Sequence, residues 1–492
     1  MTFADSIGRH AQLRPDKTAL HFAGQDISYQ QLWQQVENAT RSLTEQAIGP
    51  GDRVAWLGLN DPAMLVLLLA LSRIGGILLP LNYRLSRTEQ WAILKRAQAC
   101  LLVSDAVHHT AAQELTSLMD AVAQDELGDG NEDPMLYGTD DLLLVYTSGT
   151  TGLPKGAMHT QASLAANCLA SQHAHGFSAE DHVLTALPLF HVGGLCIQTL
   201  PALVCGATVT LHARFEPGEW LRDVAARRPT VSLLVPATLR AVIGHPEFAI
   251  SDLSSLRLLN AGSSTIPLSL IETFHARGVP VCQVYGSTET GPVSIYLRQH
   301  DAMRYPGSAG QAGLNVEVRL VDGAGIEVAL GDVGEIWVRA PNVMRGYWRD
   351  TQNPAFQNGW FHTGDLARCD AAGFYWIVGR SKDMIISGGE NIYPAEIENV
   401  LVNCPDIAEV AVVGLPDERW GEVAVAAIVR ADGSRLDAED VLALLQGQLA
   451  RYKHPKRVVF VNALPKTVLG KIQKAQLSAE LGQLAAQTPG AP

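Results

Sequence analysis

Between residues 29 and 292 short apolar runs alternate with amphipathic stretches, and no other feature constrains the fold as much. Residues 29–43 set Leu32, Val36, Ala39 and Leu43 on one helical face. Residues 54–58 read as a short buried strand. Asp61 and Pro62 then supply a helix start, a capping side chain followed by a residue with fixed φ. Residues 77–80 read as a second buried strand. A strand, helix, strand order implies parallel sheets covered by helices. The same alternation resumes at residue 142, with strands expected at 142–147, 183–187, 208–211, 231–235, 256–259 and 281–285.

From residue 307 to 380 the texture changes. Short alternating runs at 316–321, 335–338 and 374–378 are separated by Gly, Asp and Asn, which suits an antiparallel, barrel-like piece. Residues 379–383, Gly-Arg-Ser-Lys-Asp, read as a joint. Beyond it, helices at 394–403 and 438–450 and strands at 407–413 and 423–430 make a small α+β module. The acidic, turn-rich segment 121–134 reads as a surface loop, and the Ala/Gln/Pro/Gly-rich tail after Leu481 as frayed.

A chain of 492 residues accommodates two to four structural units. With 47% hydrophobic and 18% charged residues it has several cores to bury and is not disordered. A net charge of −13 argues against nucleic acid or an anionic membrane as main partner. The cysteines, at 100, 168, 196, 205, 282, 369 and 404, are odd in number and never spaced C-x-x-C. They read as reduced thiols of a cytoplasmic protein, not as a disulfide framework or zinc site. The strongest apolar run, 64–71, is too short to span a bilayer, and the first residues carry no basic-then-apolar signal pattern.

Four blocks carry candidate chemistry. Residues 146–156, Tyr-Thr-Ser-Gly-Thr-Thr-Gly-Leu-Pro-Lys-Gly, form a loop of hydroxyls and glycines after a strand. Pro154 precedes Lys155 and Gly156 follows it, so this is not the P-loop signature, yet N–H and O–H groups of such a loop can wrap phosphate oxygens. Residues 285–290, Tyr-Gly-Ser-Thr-Glu-Thr, set Glu289 among hydroxyls, where a Mg²⁺ beside phosphates would find a carboxylate. Residues 361–366, Phe-His-Thr-Gly-Asp-Leu, present Asp365 at a turn, able to accept from two ribose hydroxyls, with Arg380 near enough in sequence to add a charge. Residues 465–471 end on Lys471, a cation that would offset the meeting of a carboxylate and an α-phosphate. Each block alone also admits a plain reading: a Gly/Ser/Thr turn, a surface glutamate, a turn-forming aspartate, a solvated lysine. His191 is open in the same way, as a core histidine or as one wall of an acyl pocket.

Taken together, these blocks resemble the adenylate-forming superfamily of acyl-CoA synthetases, non-ribosomal adenylation domains and luciferases, a resemblance that runs over nearly the whole chain, from Tyr29 to Lys474. The resemblance implies a large N-terminal domain, 1–381, of two α/β subdomains plus a distorted β-barrel. It also implies a small mobile α+β C-terminal domain, 382–492, with Lys382 at the hinge. It assigns ATP and AMP contacts to Thr147, Ser148, Gly149, Thr150, Thr151, Gly152 and Lys155, to Gly262, Ser263 and Ser264, and to Tyr285, Gly286, Thr288, Asp365 and Arg380. Glu289 would take Mg²⁺ and Lys471 would be the adenylating lysine. Gly388, Gly389 and Glu390 would line the pantetheine channel, and Trp420 would stack on the CoA adenine. His191, Val192, Gly193, Gly194, Asn260 and Ala261 would line the acyl pocket. The last block departs from the common Ser-Gly-Lys in reading Leu-Gly-Lys, and His454 stands where some relatives carry a basic residue facing CoA phosphate.

Residues 382–394 are similar to those of bacterial feruloyl-CoA and halobenzoate-CoA ligases. The resemblance therefore implies a carboxylate–CoA ligase using ATP and CoA, acting on an aromatic acid such as a hydroxycinnamate or benzoate, with a medium-chain fatty acid as the alternative. The pocket segments offer no Arg or Lys for a second carboxylate, which disfavours malonate-like acids. Amino-acid adenylation domains place an aspartate just after the Phe where this chain has His191. A non-catalytic nucleotide-binding module would lack Lys471, Glu289 or Asp365. Partners are expected to be small molecules, with a homodimer as the candidate assembly.

Overall fold

A computed structural model describes residues 2–125, 140–147, 154–263, 266–350, 355–388, 390–417, 419–466 and 472–487. Four sheets organise it. The largest has nine strands, in the order Gln311–Ala312, Ile295–Tyr296, Val281–Tyr285, Leu258–Gly262, Val231–Leu234, His182–Thr185, Thr208–Leu211, Thr18–Phe22 and Gln25–Ser28. Its central strands are parallel, as the alternation predicts. Its last two come from the very start of the chain, so residues 1–140 do not make a unit of their own.

The second sheet has six strands: Gly346–Tyr347, Lys155–Thr160, Asp141–Thr147, Ile77–Leu81, Arg53–Leu57 and Leu101–Ser104. Pro62–Ile74 is the helix that packs between the sheets. Asp61 caps it through the Ala63 N–H and Pro62 takes its first turn, while Gly75 in a left-handed conformation (φ 75°) ends it. Residues from Met64 to Ser72 are all buried, so the apolar run is a core helix as expected. Lys155–Thr160 runs antiparallel to Asp141–Thr147. The described ends of the glycine-rich block are therefore strand residues, Tyr146 paired with Gly156 and Thr147 with Lys155.

The third sheet is antiparallel, joining Glu317–Val321, Gly334–Arg339, Trp360–Cys369, Phe356–Gln357 and Tyr375–Arg380. After a single 3₁₀ turn, Ser381–Asp383, the fourth sheet begins at Ile385. It packs Pro394–Leu401 and Ala438–Leu445 on one face, and Lys474–Gln487 on the other.

Three expectations are corrected. The helix expected at 438–450 stops at Leu445, because Gln446 turns extended and Gly447 takes a positive φ of 74°. Residues 121–125, expected in a loop, continue the helix His109–Asp125, and 126–134 lie outside the described residues. The tail after Leu481 continues as helix to Gln487, since Leu477 and Leu481 bury one side of it.

Candidate functional site

Strand His182–Thr185 has Thr208–Leu211 on one side and Val231–Leu234 on the other, so the chain leaves it both ways. Such a switch point opens a crevice at the carboxyl ends of parallel strands. Pairing to Val231–Leu234 stops at Leu184–Ser232, and the Gln198 amide donates to the Ser232 carbonyl at 3.1 Å. His191 lies on the turn that leaves this crevice. Its Nδ1 accepts from the Gly193 N–H at 3.0 Å, so a neutral ring carries its proton on Nε2. A side chain on Gly194 would strike the Pro188 carbonyl at 2.3 Å, so that glycine serves backbone packing. A Cβ on Gly193 would lie 3.8 Å from Ser263 Oγ, which sets the turn against the end of strand Leu258–Gly262.

The turn runs on into one π-helical coil, Leu195–Thr199. Its inner carbonyls are taken by a neighbouring helix: Asn167 Nδ2 donates to Cys196 at 2.7 Å and Ser171 Oγ to Ile197 at 2.5 Å. In the adjacent strand Asn260 and Ala261 are wholly buried, and Gly262 leaves room for the Val284 carbonyl, 2.6 Å from where a Cβ would sit. Ser263 holds a positive φ of 71°, a conformation costing a side chain about 1–3 kcal/mol.

Residues 285–290 are held rigid from several sides. Ser287 and Thr290 exchange backbone-to-hydroxyl bonds at 2.9 and 3.2 Å. Asn342 Nδ2 donates to the Thr290 and Gly291 carbonyls at 3.1 and 3.0 Å, and the Met344 N–H to Glu289 at 2.8 Å. A Cβ on Gly286 would meet Pro292 at 2.5 Å. Buried His159 donates through Nε2 to the Thr288 carbonyl at 2.8 Å. Burial lowers its pKa to about 4, against the opposing pull of that bond and of Glu289.

Two clusters flank this turn. On one side Glu289 Oε1 accepts from the Tyr347 hydroxyl at 2.9 Å and faces Thr147 Oγ1 at 3.5 Å. Burial and then Glu289 raise the Tyr347 pKa, keeping it a donor. Lys155 Nζ lies 5.1 Å from the Tyr347 ring centroid and 3.8 Å from Asp350. On the other side the Tyr285 hydroxyl donates to Asp365 Oδ2 at 2.9 Å, and Arg380 Nε lies 2.8 Å from Oδ1. Asp365 and Arg380 are register partners across two antiparallel strands, so the sheet itself fixes their pairing. Thr363 Oγ1 accepts the Asp365 N–H at 3.0 Å. Tyr285 is raised well above the ordinary phenol value by burial first and by Asp365 next.

In the C-terminal module Gly388 has φ 61°, and a Cβ there would lie 2.6 Å from the Trp420 ring. The indole thus covers Gly388 while staying 38% exposed, with Arg419 and Lys456 cations 4.9 and 5.5 Å from its centroid. Glu390 and Lys382 are exposed. Ser148, Gly149, Thr150, Thr151, Gly152, Ser264, Gly389 and Lys471 lie outside the described residues.

Sequence reasoning missed Tyr347, Asn342, Thr363 and His159. Tyr347, in a Gly-Tyr-Trp run at 346–348, carried only a weak signal, and the other three act through backbone contacts that leave none. Among the described residues no group of three or more His, Cys, Asp or Glu is placed to hold a metal ion. One half-buried carboxylate beside hydroxyls instead suits a hard cation that keeps its waters and takes other oxygens from phosphate. Asp365, braced by Tyr285 and Arg380, suits the hydroxyls of a sugar.

The sequence model of the AMP-binding enzyme family matches residues 7–348, and that of the AMP-binding enzyme C-terminal domain matches residues 396–471. Indoleacetate–CoA ligase of Aromatoleum aromaticum is 46% identical, over 96% of this chain and 97% of that protein. Feruloyl-CoA synthase of an Amycolatopsis species is 41% identical, over 96% of this chain and 98% of that protein. The solved structure of o-succinylbenzoate CoA synthetase from Bacillus subtilis, in complex with ATP and magnesium ion, aligns with a TM-score of 0.84. It shares 30% identity, over 96% of this chain and 98% of that one.

Proposed function

The chain belongs to the AMP-binding enzyme family, and from that premise we propose how its residues divide the work of an AMP-forming acid–CoA ligase. The overall reaction joins a carboxylic acid to CoA at the expense of ATP. A carboxylate oxygen attacks the α-phosphorus, diphosphate leaves, and an acyl-adenylate forms. The CoA thiol then attacks the acyl carbon, its proton is lost, and AMP leaves.

The observation that carries the assignment is that one rigid turn, residues 285–290, joins both clusters. Asp365, held by Tyr285 and Arg380, accepts from the ribose hydroxyls. Gly262, Ser263, Ser264 and Gly286 border the adenine, and Thr288 fixes the approach of Glu289. Thr147, Ser148, Gly149, Thr150, Thr151, Gly152 and Lys155 hold the phosphates. Glu289 fits as the protein's carboxylate for Mg²⁺, and that ion, when bound, supplies positive charge against the phosphates. Lys471 neutralises charge as the two anions meet.

His191, Val192, Gly193, Gly194 and Asn260 border the acyl group; Ala261 can add only its backbone there, since its side chain packs on the opposite face with Trp220 and Phe274. The acid is aromatic, a reading supported by the two relatives that act on indoleacetate and ferulate by name and by the buried apolar walls Leu187, Ile197 and Leu233. Gly388, Gly389, Glu390 and Trp420 receive CoA. The C-terminal domain, 382–492, rotates against 1–381 about Lys382, which sits exposed on the turn between two sheets. A cytoplasmic setting is supported by seven free cysteines, and no described helix is long and apolar enough to cross a membrane. The homodimer is part of the same proposal and is decided by light scattering.

The decisive assay measures diphosphate release by the purified enzyme on a panel of aryl and C6–C12 alkyl acids, then CoA consumption. Release that needs an aryl acid, followed by loss of free thiol, supports the assignment. Release with alkyl acids alone would overturn the aromatic part, and release without acid the whole.

A further inference from the structure

Asn260 is the one residue of strand Leu258–Gly262 whose chemistry contradicts its place. It is 0% exposed, at the middle of a nine-stranded sheet, and both Oδ1 and Nδ2 lack any hydrogen-bond partner. An asparagine amide has two acceptor and two donor positions, and a buried one is ordinarily paired. Sheet interiors favour apolar, β-branched residues, so an amide here weakens the fold unless something else uses it.

The surroundings say what that is. Successive side chains of a strand point to opposite faces. Leu259 and Ala261 pack into the cluster of Trp220 and Phe274, so Asn260 points to the other face. Its register partners there are Leu233 and Cys282, and Leu233 packs with Leu187 and Ile197. This is the face over which the His191 turn and the π-helical coil fold. Asn260 lies two residues, about 7 Å, deeper along the strand than Gly262, whose neighbour Ser263 meets Gly193. Gln198, on the π-helical coil, also has an unpaired buried atom, Oε1.

We propose that Asn260 selects the ring end of the acyl substrate: its amide pairs with a hydrogen-bonding group on the ring, a phenol O–H or an indole N–H. This rests on the aromatic reading of the pocket. A phenol satisfies both halves of the amide, since it donates to Oδ1 and accepts from Nδ2. An indole N–H satisfies Oδ1. A plain ring satisfies neither, and a site built to hydrogen-bond discriminates against the analogue that lacks the group far better than an apolar wall discriminates by size.

The test uses two matched pairs with ATP and CoA: indole-3-acetate against benzothiophene-3-acetate, and 4-hydroxycinnamate against cinnamate. Wild-type kcat/KM should favour the hydrogen-bonding member of at least one pair by roughly tenfold to a hundredfold. In Asn260→Val the ratio should fall to about one, the KM for ATP should be unchanged, and Tm should not drop, because an unpaired amide has been replaced by a strand-forming side chain. The same ratio in both proteins overturns the proposal, as it would if Asn260 merely held a buried water. A wild-type ratio near one for both pairs overturns it without any variant. An enzyme that activates aromatic acids with no such preference refutes Asn260 alone. One that activates only alkyl acids refutes the aromatic reading together with it.

Discussion

The Tyr347 hydroxyl donates to Glu289 Oε1 at 2.9 Å, across 58 residues of sequence and from a different sheet. The acidic group of the 285–290 turn is therefore aimed by a side chain outside that turn. Tyr347→Phe keeps the ring beside Lys155 and removes this one bond. Hydrogen bonds to charged groups contribute about 1.5–3 kcal/mol, so the Mg²⁺ concentration needed for half-maximal ATP–diphosphate exchange should rise roughly tenfold or more. An unchanged Mg²⁺ dependence would detach Glu289 from the metal.

Arg380 and Asp365 separate nucleotide binding from stability. The Arg380 side chain is 36% exposed but that of Asp365 only 12%, so removing the cation leaves a mostly buried carboxylate that keeps the Tyr285 hydroxyl as donor. Arg380→Ala should therefore lower stability to urea modestly and raise the KM for ATP about tenfold or more. A large loss of stability with normal ATP affinity would make the pair structural.

Trp420 covers Gly388 but keeps much of its ring in solvent. Trp420→Ala should raise the KM for CoA roughly tenfold, within the 1–3 kcal/mol of a lost base stack. Acid-dependent ATP–diphosphate exchange should hardly change. Parallel loss of both half-reactions would show that the indole supports the fold of the C-terminal module instead.

Lys471→Ala should slow adenylation by about two orders of magnitude, the scale of losing one electrostatic contact to the reacting group. Thioester formation from supplied acyl-adenylate should persist. Activity within a few-fold of wild type would clear Lys471 of that role.

Acid stability follows from two buried histidines. Burial lowers His159 to about 4 and His175 to about 3, from an ordinary 6.5. Below pH 6.5 the unfolded chain takes up protons that the folded chain refuses, so stability present at neutral pH is lost as pH falls from 6.5 towards 4. Tm measured from pH 7 to pH 4 should decline over that window. His159→Gln, which keeps a donor for the Thr288 carbonyl, should flatten the decline. A Tm independent of pH would mean that both rings are charged when folded.

Local elements were legible where the cause was local. Asp61 and Pro62 announced their helix, and the run from Met64 to Leu71 its burial. The helix expected at 438–450 ends at Leu445, before Gly447 with its positive φ, a residue the sequence displays as a helix stop. The tail was misjudged on composition, when Leu477 and Leu481 already had helical spacing. In the candidate site, Glu289 and Asp365 stood out because their blocks are compact. Tyr347 and His159 did not, since each acts on a segment more than fifty residues away. Nothing in the string of letters says that Asn260 goes unpaired, because partnership is a property of the packed layer.

The chain's first hairpin closes the far edge of the nine-stranded sheet. Thr18–Phe22 lies parallel to Thr208–Leu211, and Thr208 Oγ1 reaches the Thr18 carbonyl across 190 residues. At 5–20 residues per second the ribosome takes roughly 10–40 s to supply that partner. For that interval Thr18–Phe22 is a strand with one edge unmatched, the kind of surface that captures other nascent chains. That seam joins two strands made far apart in time, and the yield of folded enzyme depends on how well the hairpin is shielded while it waits.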